Sequence, residues 1–170
     1  PADAFSGSNI TYYNLDNGSW AQGTSLVVAA NGEHELRYYT VDDAGNVEVE
    51  QVIAFRIDGI APATEVNQTG TLGDNGWYVS PVNIVLTTSN DTSGVKQTMY
   101  SIDGGNWTNG TSVQLASNGS HTFWFYSVDF AGNIETQQSV VINIDMEKPA
   151  TASSLSGTLG DNGWYVSPVT

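Results

Sequence analysis

Apolar and polar residues alternate along this chain with a period of two, in short runs. Gly, Asn, Asp or Pro interrupts the runs every 8 to 12 residues. Alternation of this kind predicts β-strands that bury one face, and no segment has the 3.6-residue period of a helix. Between residues 62 and 147 the pattern predicts seven strands, near 64–69, 76–79, 82–89, 95–102, 111–116, 120–129 and 137–145.

The sixth predicted strand shows which of its faces is buried. Phe123 and Phe125 lie on one face of it, while Trp124 and Tyr126 lie on the other. An earlier segment of similar sequence has Arg37 at the position of Trp124. Because Arg is rarely buried, we expect Trp124 to be exposed and the two Phe side chains to face the core.

Turn residues separate the predicted strands. Asp16-Asn17-Gly18 and Asp103-Gly104-Gly105 stand between apolar runs and predict hairpin turns with positive φ. Gly45 and Gly132 occupy positions where a tight turn favours a residue without Cβ. Asp58 to Pro62 and Asp145 to Pro149 are short joints that contain Pro, and these predict semi-rigid connections.

The chain also repeats itself. Residues 71–82 return unchanged as residues 158–169, and an offset of 87 residues gives 40 identities over 83 aligned positions without a gap. A fixed period is typical of tandem modules. We therefore predict three segments: residues 1–58 as the C-terminal part of one module, 59–146 as a complete module, and 147–170 as the first strands of another.

The period does not coincide with the chain ends, because Pro1 has the register of Thr88 and Thr170 that of Asn83. We expect residues 1–58 alone to expose core and unpaired strand edges. Residues 149–170 carry the first of the strands that this module lacks. They would complete it by strand complementation between copies, or as part of a continuous chain.

Seven short strands with regular turns predict an all-β fold of immunoglobulin-like (Ig-like) β-sandwich type. Three further features are Tyr100 to Trp107, Tyr126 to Glu135, and Ile144-Asp145 with Pro149. With these, the chain resembles the tandem Ig-like repeats of secreted and surface proteins of bacteria and archaea. The resemblance implies tandem Ig-like modules in an extracellular scaffold and supplies no active site.

Composition narrows the functional classes. Four Lys and Arg stand against 18 Asp and Glu, a net charge of -14, which argues against binding nucleic acid or an anionic membrane. The absence of Cys excludes thiol catalysis, disulfides and Cys-ligated zinc. With no apolar run of spanning length, we expect no direct membrane insertion. Acidity and absent Cys, together with an excess of Asn-x-Ser/Thr sequences, favour an archaeal surface.

Asn is followed by x-Ser/Thr seven times, whereas chance predicts about three occurrences. The excess supports an exported protein that carries N-linked glycans. Asn-Gly-Ser/Thr is also good turn chemistry, so this alternative stays open. The candidate acceptors are Asn9, Asn17, Asn67, Asn90, Asn106, Asn109 and Asn118.

Candidate catalytic and metal sites have weak support. His34 and His121 share one register, and without a Gly-x-Ser-x-Gly elbow we expect each to be a structural hydrogen-bonding residue. The recurring carboxylates (Asp42, Glu48, Asp58, Asp129, Glu135 and Asp145) include residues at the joints, where calcium would stiffen an array. There is no Asp-x-Asp-x-Asp-Gly loop, so we predict no cofactor and keep calcium as an alternative.

The five Trp residues could form a platform for sugars. Four of them recur in register (Trp20 with Trp107, and Trp77 with Trp164), which is typical of packing residues. Trp124 has no repeated counterpart and is the candidate for an exposed contact. We predict a non-catalytic structural protein, a stalk, surface layer or filament whose partners are further copies. The alternative is an adhesin or carbohydrate-binding array.

Overall fold

A computed structural model describes residues 8–90 and 92–170 and shows an all-β protein. None of its described helices is long and apolar enough to cross a membrane. The strands are β1 (Ser8–Leu15), β2 (Ala21–Gln22), β3 (Gly32–Asp42), β4 (Gln51–Ile57), β5 (Ala63–Thr69), β6 (Trp77–Tyr78), β7 (Val82–Ser89), β8 (Val95–Ile102), β9 (Thr108–Asn109), β10 (Ser112–Leu115), β11 (Gly119–Asp129) and β12 (Gln138–Ile144).

Strands β5 to β12 form a closed sandwich of two sheets. One sheet has the order β10-β7-β5, and the other has the order β6-β12-β11-β8-β9. Neighbouring strands are antiparallel, except that the short β6 runs parallel to β12. Two sheets of this strand order over about 80 residues are an Ig-like β-sandwich. The predicted fold class is confirmed.

The core of this sandwich lies between the two sheets. The side chains of Phe123 and Phe125 on β11 are 0% and 2% exposed, so the expected orientation of this strand is confirmed. They pack with alternate residues of β7, β10 and β12, namely Val82, Ile84, Leu86, Leu115, Ile142 and Ile144. The alternation of apolar and polar residues in the sequence therefore corresponds to one buried face on each sheet.

The seven predicted strands are present; two have the predicted bounds, and the ends of the others shift by no more than one residue. Two features were missed. The short edge strand β9 pairs with β8 over two residues and is too brief for alternation to mark it. Single turns of 3-10 helix also occur at Asp74–Gly76 and Asp161–Gly163, where Asn75 and Asn162 have φ of 53° and 52°. A period-based prediction does not detect one turn.

The predicted turns have the expected backbone. At the β8–β9 connection Asp103 and Gly104 have φ of 52° and 72°, and at the equivalent β1–β2 connection Asp16 and Asn17 have φ of 52° and 58°. Two successive left-handed residues match the right-handed twist of the paired strands. Gly132, in the turn after β11, has φ of 97°, a conformation that disfavours any residue with a Cβ.

Residues 8–57 form a single four-stranded sheet, of order β2-β1-β3-β4. Its strands begin and end 87 residues before β8, β9, β11 and β12. The equivalent of β10, residues 25–28, is not a strand in this half of the chain. In the closed sandwich β10 pairs with β7. Because no described strand stands in the place of β7 beside residues 25–28, the same sequence position remains irregular.

Candidate assembly interface

The joint at Asp58 is attached to the closed sandwich by hydrogen bonds. Asp58 Oδ2 accepts the Ser93 N–H at 2.9 Å, and the Asp58 carbonyl accepts from Asn133 Nδ2 at 3.0 Å. The hydrogen bond to the Ser93 side chain, followed by that to the Ile60 N–H, holds the pKa of Asp58 below its ordinary value. The carboxylate is therefore charged at neutral pH and fixes the start of the sandwich.

Asp129 holds the turn that contacts this joint. Its side chain is fully buried, and Oδ1 accepts the N–H groups of Gly132 and Asn133 at 2.7 and 2.8 Å. Oδ2 accepts from Asn133 Nδ2 at 2.8 Å. These bonds fix the turn that presents Asn133 to Asp58. The repeated Asp and Asn of the sequence are thus parts of one turn and joint.

The same joint chemistry occurs on both sides of the closed sandwich. Asn31 Oδ1 accepts the Gly59 N–H at 3.0 Å, and Asn118 Oδ1 accepts the Met146 N–H at 2.9 Å. Asp145 Oδ1 accepts from the Glu147 N–H at 3.0 Å, as Asp58 Oδ1 does from Ile60 at 3.1 Å. Residues 145–147 therefore have the local structure of the joint that precedes the sandwich.

A buried polar group joins the two sheets next to this joint. Glu135 is 7% exposed; Oε1 accepts the Thr64 N–H at 2.7 Å, and Oε2 accepts the Thr64 hydroxyl at 2.5 Å and the Ser127 N–H at 3.0 Å. A buried carboxylate is stable only when the chain supplies such donors. We call this group the latch; its members are Thr64, Thr88, Thr98, Ser127 and Glu135.

Glu48 is the counterpart of Glu135 in the N-terminal sheet. Its Oε2 accepts the Thr40 N–H at 3.1 Å, as Glu135 accepts from Ser127, and Thr11 and Thr40 lie 3.2 Å apart through their hydroxyls. Glu48 is nevertheless exposed. Within residues 8–90 and 92–170, no residue lies against Glu48 in the position that Thr64 has against Glu135. The N-terminal sheet thus has counterparts of Glu135, Ser127 and Thr98 of the latch, but none of Thr64 among the described residues.

The apolar face of the N-terminal sheet is open. Ile53 is 48% exposed, and Leu36 is half-buried, whereas the equivalent Phe123 is 0% exposed. No strand of the described chain lies across this face. We call it the open face; its residues are Tyr13, Leu15, Leu36, Tyr38, Ile53, Phe55 and Ile57.

Both histidines make the hydrogen bonds that the sequence led us to expect. His34 Nδ1 lies 2.8 Å from Asp16 Oδ2, and Nε2 lies 2.8 Å from the Ala30 carbonyl. Because both partners are acceptors, the imidazolium form, which donates from both nitrogens, makes both hydrogen bonds. The hydrogen bond to Asp16 is the main cause that raises the pKa of His34, and the same bond lowers the pKa of Asp16.

One arrangement missed by sequence reasoning resembles a catalytic triad. Ser117 Oγ lies 3.2 Å from His121 Nε2, and Asp103 Oδ2 lies 2.8 Å from Nδ1. In a triad Nε2 must accept the serine proton. Here Nε2 also faces the Ser117 carbonyl at 3.1 Å, which can only accept, and an Nε2 that donates to this carbonyl cannot accept the serine proton. At the equivalent position Ala30 replaces Ser117 and the contact between the histidine and the backbone carbonyl is retained, so this contact does not depend on the serine.

The carboxylates do not converge as metal ligands do. Within the described residues, no group of three or more His, Asp or Glu side chains could hold an ion. Asp58, Asp129 and Glu135 accept hydrogen bonds from the chain itself, and a calcium ion would have to replace these donors. The calcium alternative therefore receives no support from the geometry.

The sequon asparagines differ in accessibility. Asn17, Asn67, Asn106, Asn109 and Asn118 are exposed. Asn90 is half-buried in a turn, where Oδ1 accepts the Gly94 N–H at 2.7 Å and Nδ2 points to Asp129 Oδ2 at 3.4 Å. A glycan on Asn90 would disturb these contacts. The side chain of Asn9 lies outside the described residues. Occupancy stays a prediction.

Trp124 lies on the outer face of β11, and its side chain is 37% exposed. Its neighbour Tyr126 on the same face packs edge-on against Trp107, with ring centroids 4.8 Å apart. Trp20 and Tyr39 make the same contact, also at 4.8 Å. Trp20 and Trp107 therefore make the same hairpin contact, although they are 42% and 38% exposed. The other repeated pair does not fit the expectation of packing residues, since Trp77 is 39% and Trp164 is 76% exposed. Whether Trp124 makes a contact remains a prediction.

Comparison with known proteins adds little to these observations. No known protein family and no curated protein matches the chain. Among solved structures, the chain is similar to the Clostridium thermocellum CbhA fibronectin(III)-like modules, at 13% identity with a TM-score of 0.40, over 91% of this chain and 88% of that one. The assignment to the class of Ig-like β-sandwiches rests on the strand order and core of residues 63–144.

Proposed function

We propose that this chain belongs to an extracellular structural protein, in which Ig-like modules at 87-residue spacing build a stalk, surface layer or filament without catalysis. The observation that carries this proposal is the joint at Asp58, which is hydrogen-bonded into the following sandwich through Ser93 and Asn133. A joint of this kind limits rotation between successive modules, as a load-bearing array requires.

Surface chemistry supports the same proposal. The net charge of -14 keeps an extended array soluble and separates neighbouring flanks. Five exposed sequon asparagines offer positions for glycans, which would mark an exported protein. The partners in this proposal are further copies of the module, joined end to end. The intact mass of the protein from its native source tests the glycans, because each one adds mass that trimming removes.

The stiffness of the joint can be measured directly. The chain contains no Cys, so two introduced cysteines at the exposed Asn17 and Gln137 would carry nitroxide labels uniquely. We expect a narrow distribution of label distances in the otherwise unchanged chain. Asn133→Ala should broaden it, and the matched surface change Asn106→Ala should not. A broad distribution before any joint residue is changed would refute the stiff array.

One observation favours a second function, binding of carbohydrate. Trp124 is partly exposed beside Tyr126, and aromatic side chains on a sheet face can stack on sugar rings. Glycan-array binding that disappears with Trp124→Ala but persists with Phe130→Ala would favour this alternative. Phe130 is the matched control because it is also an unrepeated aromatic residue, and it is 70% exposed. Absence of glycan binding would leave the structural function.

A further inference from the structure

One sequon asparagine lies on the same face of its sheet as Trp124. In an antiparallel pair, residues directly opposite one another project from the same face. Met99 on β8 is opposite both Asn109 on β9 and Tyr126 on β11. Tyr126 shares its face with Trp124, because two positions on one strand separate them. Asn109 and Trp124 therefore both project from the outer face of the five-stranded sheet, away from the core.

A second indole lies on this outer face. The ring of Trp107 is 4.8 Å from that of Tyr126, and Trp107 and Trp124 are 38% and 37% exposed. The neighbour of Trp124 on β8 is the small residue Ser101, which is 3% exposed. We call this group the aromatic face; its residues are Met99, Ser101, Trp107, Trp124 and Tyr126. Apolar surface left in water is costly, so a group that covers the two indoles would be favoured.

The aromatic face is close enough to Asn109 for a glycan on that residue to contact it. Neighbouring strands lie about 4.8 Å apart, so the two steps from β9 across β8 to β11 span about 10 Å. A short oligosaccharide covers this distance. Asn109 is exposed, and Asn109-Gly110-Thr111 is an acceptor sequence for N-linked glycans.

The N-terminal sheet lacks both the acceptor and the exposed indole at the equivalent positions. Gln22 stands at the position of Asn109, so the acceptor sequence is lost although the Gly and Thr that follow are unchanged. An ion-paired Arg37 stands at the position of Trp124. Acceptor and exposed indole thus occur together in one module and are absent together from the other. This is expected if the glycan covers the indole.

The chemistry of the aromatic face suits sugar rings. A pyranose ring packs its C–H groups on an indole and keeps its hydroxyl groups hydrated at the edge. No charged residue occurs in residues 97–101 or 122–126, which form the middle of β8 and β11, although the chain has a net charge of -14. A neutral glycan on this face therefore removes no charge from water, a step that would cost free energy.

We propose that Asn109 carries an N-linked glycan whose first sugars lie on the aromatic face and cover Trp124. This inference rests on the proposed extracellular function, and it assigns to Trp124 a partner attached to the same chain. Because β9 is the edge strand of its sheet, a glycan at Asn109 also hinders that edge from pairing with other chains.

The first measurement maps the attachment site. Glycopeptides of the full chain from its native source are sequenced by mass spectrometry, which distinguishes Asn109 from the neighbouring acceptor Asn106. We expect a glycan on Asn109. An unmodified Asn109 would overturn the proposal, whichever other acceptors are occupied.

The second measurement asks whether the glycan covers the indole. Hydroxyl-radical labelling of the glycosylated full chain reports how accessible each Trp is to water. We expect the oxidation rate of Trp124 to rise several-fold when the glycans are released enzymatically, and Asn109→Gln should give the same rise. Trp77 is the internal reference, since it is 39% exposed on the opposite edge strand β6. Asn67→Gln is the matched control, because it removes an exposed acceptor from the other sheet.

Two further results would contradict the proposal. One is an equal oxidation rate of Trp124 with and without the glycan on Asn109. The other is binding of free oligosaccharides by Trp124 in the glycosylated chain, because the aromatic face would then be open. The joint measurement with spin labels does not depend on this glycan, so failure here leaves the proposed structural function separately testable.

Discussion

The latch of the closed sandwich allows a quantitative prediction from one hydroxyl group. Thr64→Val keeps the shape of the side chain and removes the hydroxyl, which donates to Glu135 Oε2 at 2.5 Å and lies 2.7 Å from Ser127 Oγ. A hydrogen bond to a charged group contributes about 1.5–3 kcal/mol and a neutral one about 0.5–1.5 kcal/mol. Glu135 retains the N–H groups of Thr64 and Ser127, so we expect a net loss of about 2–3 kcal/mol.

The assay is thermal unfolding of the full chain, with the closed sandwich followed by the NMR signals of its core. For a unit of this size about 4–8 °C of midpoint corresponds to 1 kcal/mol, so the midpoint should fall by about 8–24 °C. Thr87→Val is the matched control, because Thr87 is exposed on the neighbouring strand β7. If Thr64→Val lowers the midpoint no further than Thr87→Val does, the latch does not stabilise the sandwich.

Three further predictions concern other parts of the sandwich. Phe123→Ala should cost about 3–5 kcal/mol in denaturant unfolding because Phe123 is fully buried, whereas Leu36→Ala on the open face should cost clearly less; equal costs would contradict an open face. His121→Gln should destabilise the chain more at pH 5 than at pH 9, because the hydrogen bond to Asp103 raises the pKa of His121. The stability that protonated His121 contributes is fully present below pH 6.5 and is lost as the pH rises through the folded-state pKa. Equal losses of the denaturant midpoint at both pH values would refute this. Gly132→Ala should destabilise by about 1 kcal/mol or more, because φ is 97° at that residue, and an unchanged midpoint would contradict this.

Local sequence pattern predicted the strands well where it was long enough to show a period. Strand β11 alternates over 11 residues, and its buried and exposed faces follow directly from Phe123 and Trp124. The hairpin at Asp103-Gly104 was equally visible, since few residues adopt positive φ. In both places the cause is local: side-chain polarity and the steric limits of the backbone.

The latch could not be predicted in the same way. Thr64 and Glu135 are 71 residues apart, and a single Thr two residues after Pro62 has no local signature of a buried partner. The repeat offered one signal, because Thr64 and Thr151 recur with Pro-Ala before them and Glu48 and Glu135 recur after Gly-Asn. Recurrence showed that these residues belong to the module. It did not show which of them would meet.

Sequence alone determined the all-β class, the turns, the repeat and the two faces of each long strand, because these depend on residue type and on spacing along the chain. Tertiary structure decided whether a segment found its partner. Residues 112–115 form strand β10 because β7 lies beside them, while the equivalent residues 25–28 do not form a strand. Glu135 is buried where Thr64 supplies two donors, and Glu48 stays exposed. The physical reason is that strand pairing and buried charge both need a second group in place, and the local sequence around a strand or a carboxylate does not show whether that group will be there.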